Sequence, residues 1–222
     1  MKDKSAMDEG TKRRLIEAAG EGFAQNGYRA ATVRAICQRA GASVSAINYH
    51  FKDKEALYEA VFEYAHRIAM EKFPHDMDLK PGATPEDRLR AFIRSTLLSH
   101  LGSGFPAWHD RLISHEMSNP TGMLDTVKQK YIQPLHAALE GLVGEIMRKA
   151  NPTHKPDDDL VQLGAMNIVG ACIFQHHARH NVQIVQPFAP GPAEIEAIAE
   201  YIYRYSLAGL RALATDKDGQ TA

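Results

Sequence analysis

Apolar residues recur three and four positions apart along almost the whole chain, and no stretch sustains an alternation of period two. That spacing lines them up on one face of successive helices and predicts an all-α fold. The first helix should run from about Asp8 to Gln25, with Leu15, Ala19 and Phe23 on one face. Asn26-Gly27 stops it, because glycine takes the left-handed cap conformation cheaply. Thr32 can cap a second helix whose inner face is Val33, Ile36, Cys37 and Ala40, and Gly41 ends it. Ser43 can cap a third helix, Val44 to about His50. Asp53 can cap a fourth, which starts at Lys54 and turns Leu57, Val61, Tyr64 and Ile68 inward.

Pro74, Pro81, Gly82 and Pro85 break the pattern and mark a domain boundary at residue 74. Thr84 then caps a helix with Pro85 in its first turn, where a missing N–H costs nothing. Leu89, Phe92, Ile93, Thr96 and Leu97 form its buried stripe, and Gly102 and Gly104 end it. A short helix from about Pro106 to Met117 and an Asn-Pro-Thr-Gly turn at 119–122 follow. A long helix to Ala150 contains Pro134, which should kink it. After a polar loop come helices at about Asp158–His180 and Pro192–Ala214. The reading is therefore an N-terminal three-helix domain at 8–54, a connecting helix at 54–73, a larger helical domain at 74–214 and a tail at 215–222.

Composition narrows the class. Hydrophobic residues make up 44% and charged residues 24% of 222 positions, ordinary values for a globular protein. No apolar run approaches the roughly 18 residues of a membrane span. Two cysteines, Cys37 and Cys172, make neither a disulfide framework nor a metal-type pair. Cytoplasmic residence is the expectation, with no membrane partner, metal or cofactor. The net charge is −1, but residues 1–54 carry ten Lys/Arg against six Asp/Glu, so a basic head precedes an acidic body.

Two short helices around a tight glycine turn are what is needed to lay the second of them in a DNA major groove. Ser43, Val44, Ser45, Asn48 and Tyr49 would be exposed on that helix, and Ile47 and Phe51 would point into the core. Asn48 can pair with an adenine edge, and Val44 or Ala46 can meet a thymine methyl. Thr32, Tyr49 and His50 can hydrogen-bond phosphates. Lys54 adds charge beside the free N–H groups of a helix start.

The stretch from Thr11 to Leu57 resembles the TetR family of bacterial transcriptional regulators. The resemblance is carried by T-x-x-x-L-I-x-A-A at Thr11–Ala19, Phe23, N-G-Y at Asn26–Tyr28, Thr32-Val33 and Ile36. It continues through A-G-A-S at Ala40–Ser43 and Y-H-F-K-D-K-E-A-L at Tyr49–Leu57. It implies that Arg34 contacts a base or phosphate, that Val44, Ser45, Ala46 and Asn48 face bases, and that Tyr49, His50 and Lys54 hold phosphates. Position 48 is often Tyr and position 44 often Lys in this family, so Asn48 and Val44 should alter which operator is read.

Residues 86–214 resemble the family in architecture, and the long Pro134-kinked helix and the segment FPAWHDRLISHEMSNP at 105–120 are similar to the CecR-like subgroup. The expected effector lining of this body is Phe92, Trp108, His109, Arg111, His115, Glu116, Phe174 and His177, since Arg111 and His115 share a helix face and suit a polar or anionic small molecule. His176, His177 and His180 share a helix, but no carboxylate or cysteine completes a metal site locally. The expected homodimer seam uses Leu163, Met166, Asn167, Gly170 and Phe174 with Ile195, Ile198, Ile202 and Tyr205, while Gly164, Gly170 and Ala171 allow close approach. The implied function is a ligand-responsive repressor that binds a palindromic double-stranded operator as a dimer. An activator of the same fold, a helical adaptor and an enzyme are the alternatives. No nucleophile elbow, phosphate loop or zinc motif supports the last.

Overall fold

The computed structural model describes residues 2–153, 155–181 and 190–215; the side chains of 2–6, 124 and 177–181 are outside that description. All the regular structure among the described residues is helical. In chain order the helices are α1 (Lys2–Ala30), α2 (Val33–Ala40), α3 (Val44–Phe51), α4 (Lys54–Lys72), α5 (Pro85–Leu101) and α6 (His109–Ser118). They are followed by α7 (Met123–Val127), a π-helical turn (Lys128–Ile132), α8 (Gln133–Ala150), α9 (Asp158–Asn181) and α10 (Pro192–Thr215). None is long and apolar enough to cross a membrane.

Local chemistry sets most of these bounds. Helical hydrogen bonding runs past the expected stop at Asn26-Gly27, but Gly27 leaves the helical region with φ 71° and kinks α1 there. The Thr32 hydroxyl accepts the Ala35 N–H at 3.2 Å, and Asp53 Oδ1 accepts that of Ala56 at 2.8 Å. Thr84 and Asp87 form a reciprocal capping box at α5. The expected long helix through Pro134 is interrupted. Pro134 has no N–H to return to Lys130, and the chain widens into the π turn just before it.

The chain forms two compact units, and they do not follow a single cut at residue 74: Met1–Ile68 pack with Phe105–Ile132, and Ala69–Gly104 pack with Gln133–Ala222. The first unit has a core of Leu15, Phe23, Ile36, Ile47, Leu57 and Tyr58, joined by Trp108 and Leu112. The α6 segment belongs here because its side chains fit α1 and α4. A Cβ on Gly20 would lie 2.6–2.7 Å from Cζ2 and Cδ2 of Trp108, so the indole occupies the space a side chain would need. Trp108 Nε1 donates to Glu17, which also accepts from the Tyr64 hydroxyl. Burial first, and that carboxylate second, push the Tyr64 phenol up to about 12. Lys130, in the π turn, pairs with Glu63 and Glu59 of α4.

In the second unit α5 packs on α9 and α10, and α8 on the same pair. Its core holds Leu89, Phe92, Ile93, Val143, Ile146 and Cys172 with Ile195, Ile202 and Leu210. Arg94 Nε and Lys149 Nζ each donate to both carboxylate oxygens of a partner, Glu196 and Glu86, and so tie α5 to α10 and α8.

One titration in the first unit has a measurable consequence. The His66 ring lies against Tyr131 at 4.5 Å, and burial, followed by the nearby His109, lowers its pKa. The unfolded chain then binds a proton that the folded chain resists, so this contribution is present above about pH 6.5 and is lost as pH falls from there through the lowered pKa of the folded chain. Urea denaturation of His66→Gln between pH 7.5 and 5.5 should show a shallower loss of stability than the wild type. An equal slope would place the proton uptake elsewhere.

Candidate nucleic-acid interface

The short helix α3 is anchored from beneath and open above. Ile47 and Phe51 are buried in the first unit, whereas Val44 and Tyr49 are 49% and 75% exposed. Ser43, Ser45 and Asn48 are exposed beside them, and Ala46 is half-buried. Gly41 makes the preceding turn at φ 61°, a backbone that costs a glycine little. Its turn is closed by Gly41 and Ala42 N–H groups returning to Gln38 and Cys37 carbonyls. Ser43 stands at the cap position, but its hydroxyl lies 2.7 Å from that of Ser45 instead of capping the helix backbone, a departure from the expected cap.

Around α3 the expected phosphate groups divide. Thr32 and Arg34 are exposed at the start of α2, and among the described residues Arg34 has no acidic partner. Tyr49 is free to reach outward. His50 is not equivalent: its side chain is only 7% exposed, and Nε2 lies 3.5 Å from Asp8 Oδ1. Lys54 places Nζ over the Tyr28 ring at 4.5 Å and 3.4 Å from the Arg29 carbonyl, and burial lowers its pKa. It therefore clamps the end of α1 as well as standing at the α4 start.

The expected effector residues do not gather in one place. Phe92 is in the core of the second unit, while Phe174 is 62% exposed there; the His177 side chain lies outside the described residues. In the first unit Trp108 is buried, and the His109 ring stacks on Phe105 at 4.1 Å. Glu116 is 1% exposed and accepts hydrogen bonds from the Tyr58 hydroxyl and from the Thr121 N–H and hydroxyl. That carboxylate is committed to the fold, because its bonds join it to Tyr58 of α4 and to the turn that follows α6. Arg111 and His115 do line a cleft, together with Gln25, Ser114 and Ser118, which sequence reading missed because the cleft pairs α6 with α1.

The expected dimer residues also separate. On α9, Leu163, Met166 and Phe174 are 61%, 56% and 62% exposed, and Asn167 and Gly170 are exposed with them. On α10, Ile195 and Ile202 are buried in the second unit's own core, and Ile198 packs against it. The outward face of α10 is instead Tyr201 and Tyr205, 69% and 70% exposed, with Ala208, Gly209 and Leu213. Gly164 serves the internal packing, since a Cβ there would meet Leu210 at 2.9 Å. Among residues with described side chains, no three His, Cys, Asp or Glu converge on a point that could hold a metal ion.

A buried three-helix core that holds a short, capless helix outward after a tight turn defines a helix-turn-helix DNA-binding head. Comparison with known proteins narrows the class. Residues 15–61 match the pattern of the bacterial regulatory proteins of the tetR family, and residues 85–212 match the C-terminal domain of the HTH-type transcriptional dual regulator CecR. The CecR regulator of Shigella flexneri is 32% identical over 143 residues, which cover 61% of this chain and 64% of that one. The chain's match thus spans a little under two thirds of that relative's length. The Bacillus subtilis regulator FadR, solved with stearoyl-CoA, superposes with a TM-score of 0.64 at 20% identity over 89% of this chain and 98% of that one. AibR, solved with isovaleryl coenzyme A and operator DNA, gives 0.57 at 22% identity over 88% and 97%. The chain belongs to the TetR family of transcriptional regulators and carries a CecR-type C-terminal domain. That family is one of DNA-binding regulators and not of enzymes.

Proposed function

We propose that the protein is a cytoplasmic repressor that binds an inverted-repeat operator as a homodimer and releases it when a small-molecule effector binds. The observation that carries the reading is the outward face of α3, where Ser43, Val44, Ser45, Asn48 and Tyr49 stand clear of the core while Ile47 and Phe51 fix the helix from below. One such head offers too few contacts for a tight specific site, and a two-fold pair doubles them over half-sites about one DNA turn, or a multiple of it, apart. Release requires an effector with different affinity for the two states, and the linkage is reciprocal. The two solved relatives hold acyl-CoA esters, so isovaleryl-CoA and stearoyl-CoA are the first effectors to test. A second reading, activation at some promoters, is favoured by the description of the Shigella relative as a dual regulator.

Binding to duplex DNA at a series of salt concentrations tests the head. Affinity should fall by about 10³-fold or more between roughly 50 and 200 mM salt if several phosphates are held. An affinity indifferent to salt would remove the DNA reading. Within that measurement, Lys54→Ala should weaken all duplexes alike, while Asn48→Ala should relax preference at one base pair by about 1–3 kcal/mol. Equal losses on every sequence for both variants would show that Asn48 does not read a base.

A further inference from the structure

The cleft of about 420 Å³ between α1 and α6 is lined by Ala24, Gln25, Arg111, Ser114, His115 and Ser118. We propose that it binds the phosphate group of a small molecule, with the Arg111 guanidinium and a His115 ring N–H as its donors. This gives a chemical class to the effector of the repressor reading and rests on that reading.

The lining is one-sided in its chemistry. Arg111 and His115 lie one helical turn apart on α6 and therefore project side by side. No carboxylate lines the cleft, and among the described residues neither side chain is paired with an acid. The nearby acids are turned to other partners. Glu21 pairs with Arg39 at 3.4 Å, and Glu116 is buried on Tyr58 and Thr121. Asp110 lies 3.6 Å from the His109 ring. Arg39 also donates to Gln25 Oε1 at 2.8 Å, so the part of that amide left for a ligand is its NH₂ donor. The Ser114 and Ser118 hydroxyls donate to carbonyls one turn back at 2.9 and 2.8 Å, bonds that a charged oxygen can outcompete.

The result is a cleft of donors that faces no carboxylate. A guanidinium offers a planar fork for two phosphate oxygens, and an imidazole N–H beside it can donate to a third. The volume leaves room for more than the anion alone. The His115 ring also packs by Gly27, the kink of α1, with Nδ1 3.4 Å from where a Cβ would stand. An anion drawing on His115 thus acts beside the bend that leads into Thr32 and the reading head.

The test uses the full chain at fixed ionic strength, titrated with inorganic phosphate and with glycerol 3-phosphate while the arginine Nε–H and histidine ring signals are followed by NMR. Saturable shifts at Arg111 and His115 are expected. Arg111→Gln should weaken binding by about tenfold or more, the usual effect of losing hydrogen bonds to a charged group. Tighter binding of glycerol 3-phosphate marks a phosphoester ligand, and tighter binding of inorganic phosphate marks the free ion. Shifts that never saturate, or that persist in Arg111→Gln, overturn the proposal. So does a fall of about one in the salt slope of duplex binding in Arg111→Gln, which would assign this residue to a DNA phosphate. A chain that binds phosphate at Arg111 but no duplex DNA keeps this site and loses the repressor reading. The reverse pattern loses only the site.

Discussion

Tyr205→Glu is expected to leave the chain folded and monomeric, and to weaken binding to an inverted-repeat operator by about 10²–10⁴-fold, the usual value of a second tethered contact. Tyr205 is 70% exposed and stacks with Tyr201 at 6.3 Å. Leu163, Met166 and Phe174 on the neighbouring helix are more than half exposed too. Isolated exposed apolar residues are ordinary, but five large ones on two packed helices form a patch of the kind that marks an interface. A second copy is the proposed cover, because α9 and α10 from each chain would build a four-helix seam. A carboxylate on that face would be buried without a partner in the dimer and remain solvated in the monomer, so its cost falls almost wholly on association. Light scattering gives the mass, and titration on a full inverted repeat and on one half-site separates the two effects. Half-site affinity should be unchanged. A variant that stays dimeric with wild-type operator affinity would move the seam away from α10.

The two faces of α10 show where sequence reading lost resolution. Ile195, Ile198 and Ile202 form one apolar stripe, and Tyr201, Tyr205 and Leu213 form another. Periodicity establishes that both exist, and cannot say which faces the chain's own core. The structure buries Ile195 and Ile202, packs Ile198 against the core and leaves Tyr201 and Tyr205 out, consistent with the tendency of an amphipathic ring to tolerate water. The reading head was far more legible because its signals are local. Thr32, Gly41 and Asp53 each act within a few residues, so the sequence alone places α2, the turn, α3 and α4. By contrast, Lys54 was read as a plain phosphate ligand, and its position over Tyr28 depends on a contact across 26 residues. His50 turns inward for the same kind of reason, toward Asp8 on α1.

The grouping of Phe105–Ile132 with the head was illegible, and Glu116 is the residue that makes the point most testable. Its neighbours Arg111 and His115 share α6 with it, so sequence spacing assigned all of them to a ligand site. Residue 116 lies on the opposite, buried face, bonded to residues 58 positions before it and five after it. Glu116→Leu is expected to destabilise the protein by about 3 kcal/mol, because it leaves the buried Tyr58 hydroxyl without an acceptor, at about 1–3 kcal/mol, and removes the part-buried bonds from Thr121. For a domain of about 150–250 residues this corresponds to a fall in the thermal midpoint of roughly 6–12 °C. Tyr58→Phe alone should cost less, about 1 kcal/mol, since the carboxylate keeps its two bonds to Thr121. Burial first, and the Glu116 bond second, raise the Tyr58 phenol, which keeps it a neutral donor near neutral pH. The two substitutions share one bond, and combining them should cost clearly less than the sum of the single losses. Thermal unfolding of the wild type, both single variants and the double variant measures this. A Glu116→Leu midpoint within about 2 °C of the wild type, or strict additivity in the double variant, would show that the carboxylate does not hold α6 to α4 and would return it to the candidate effector residues.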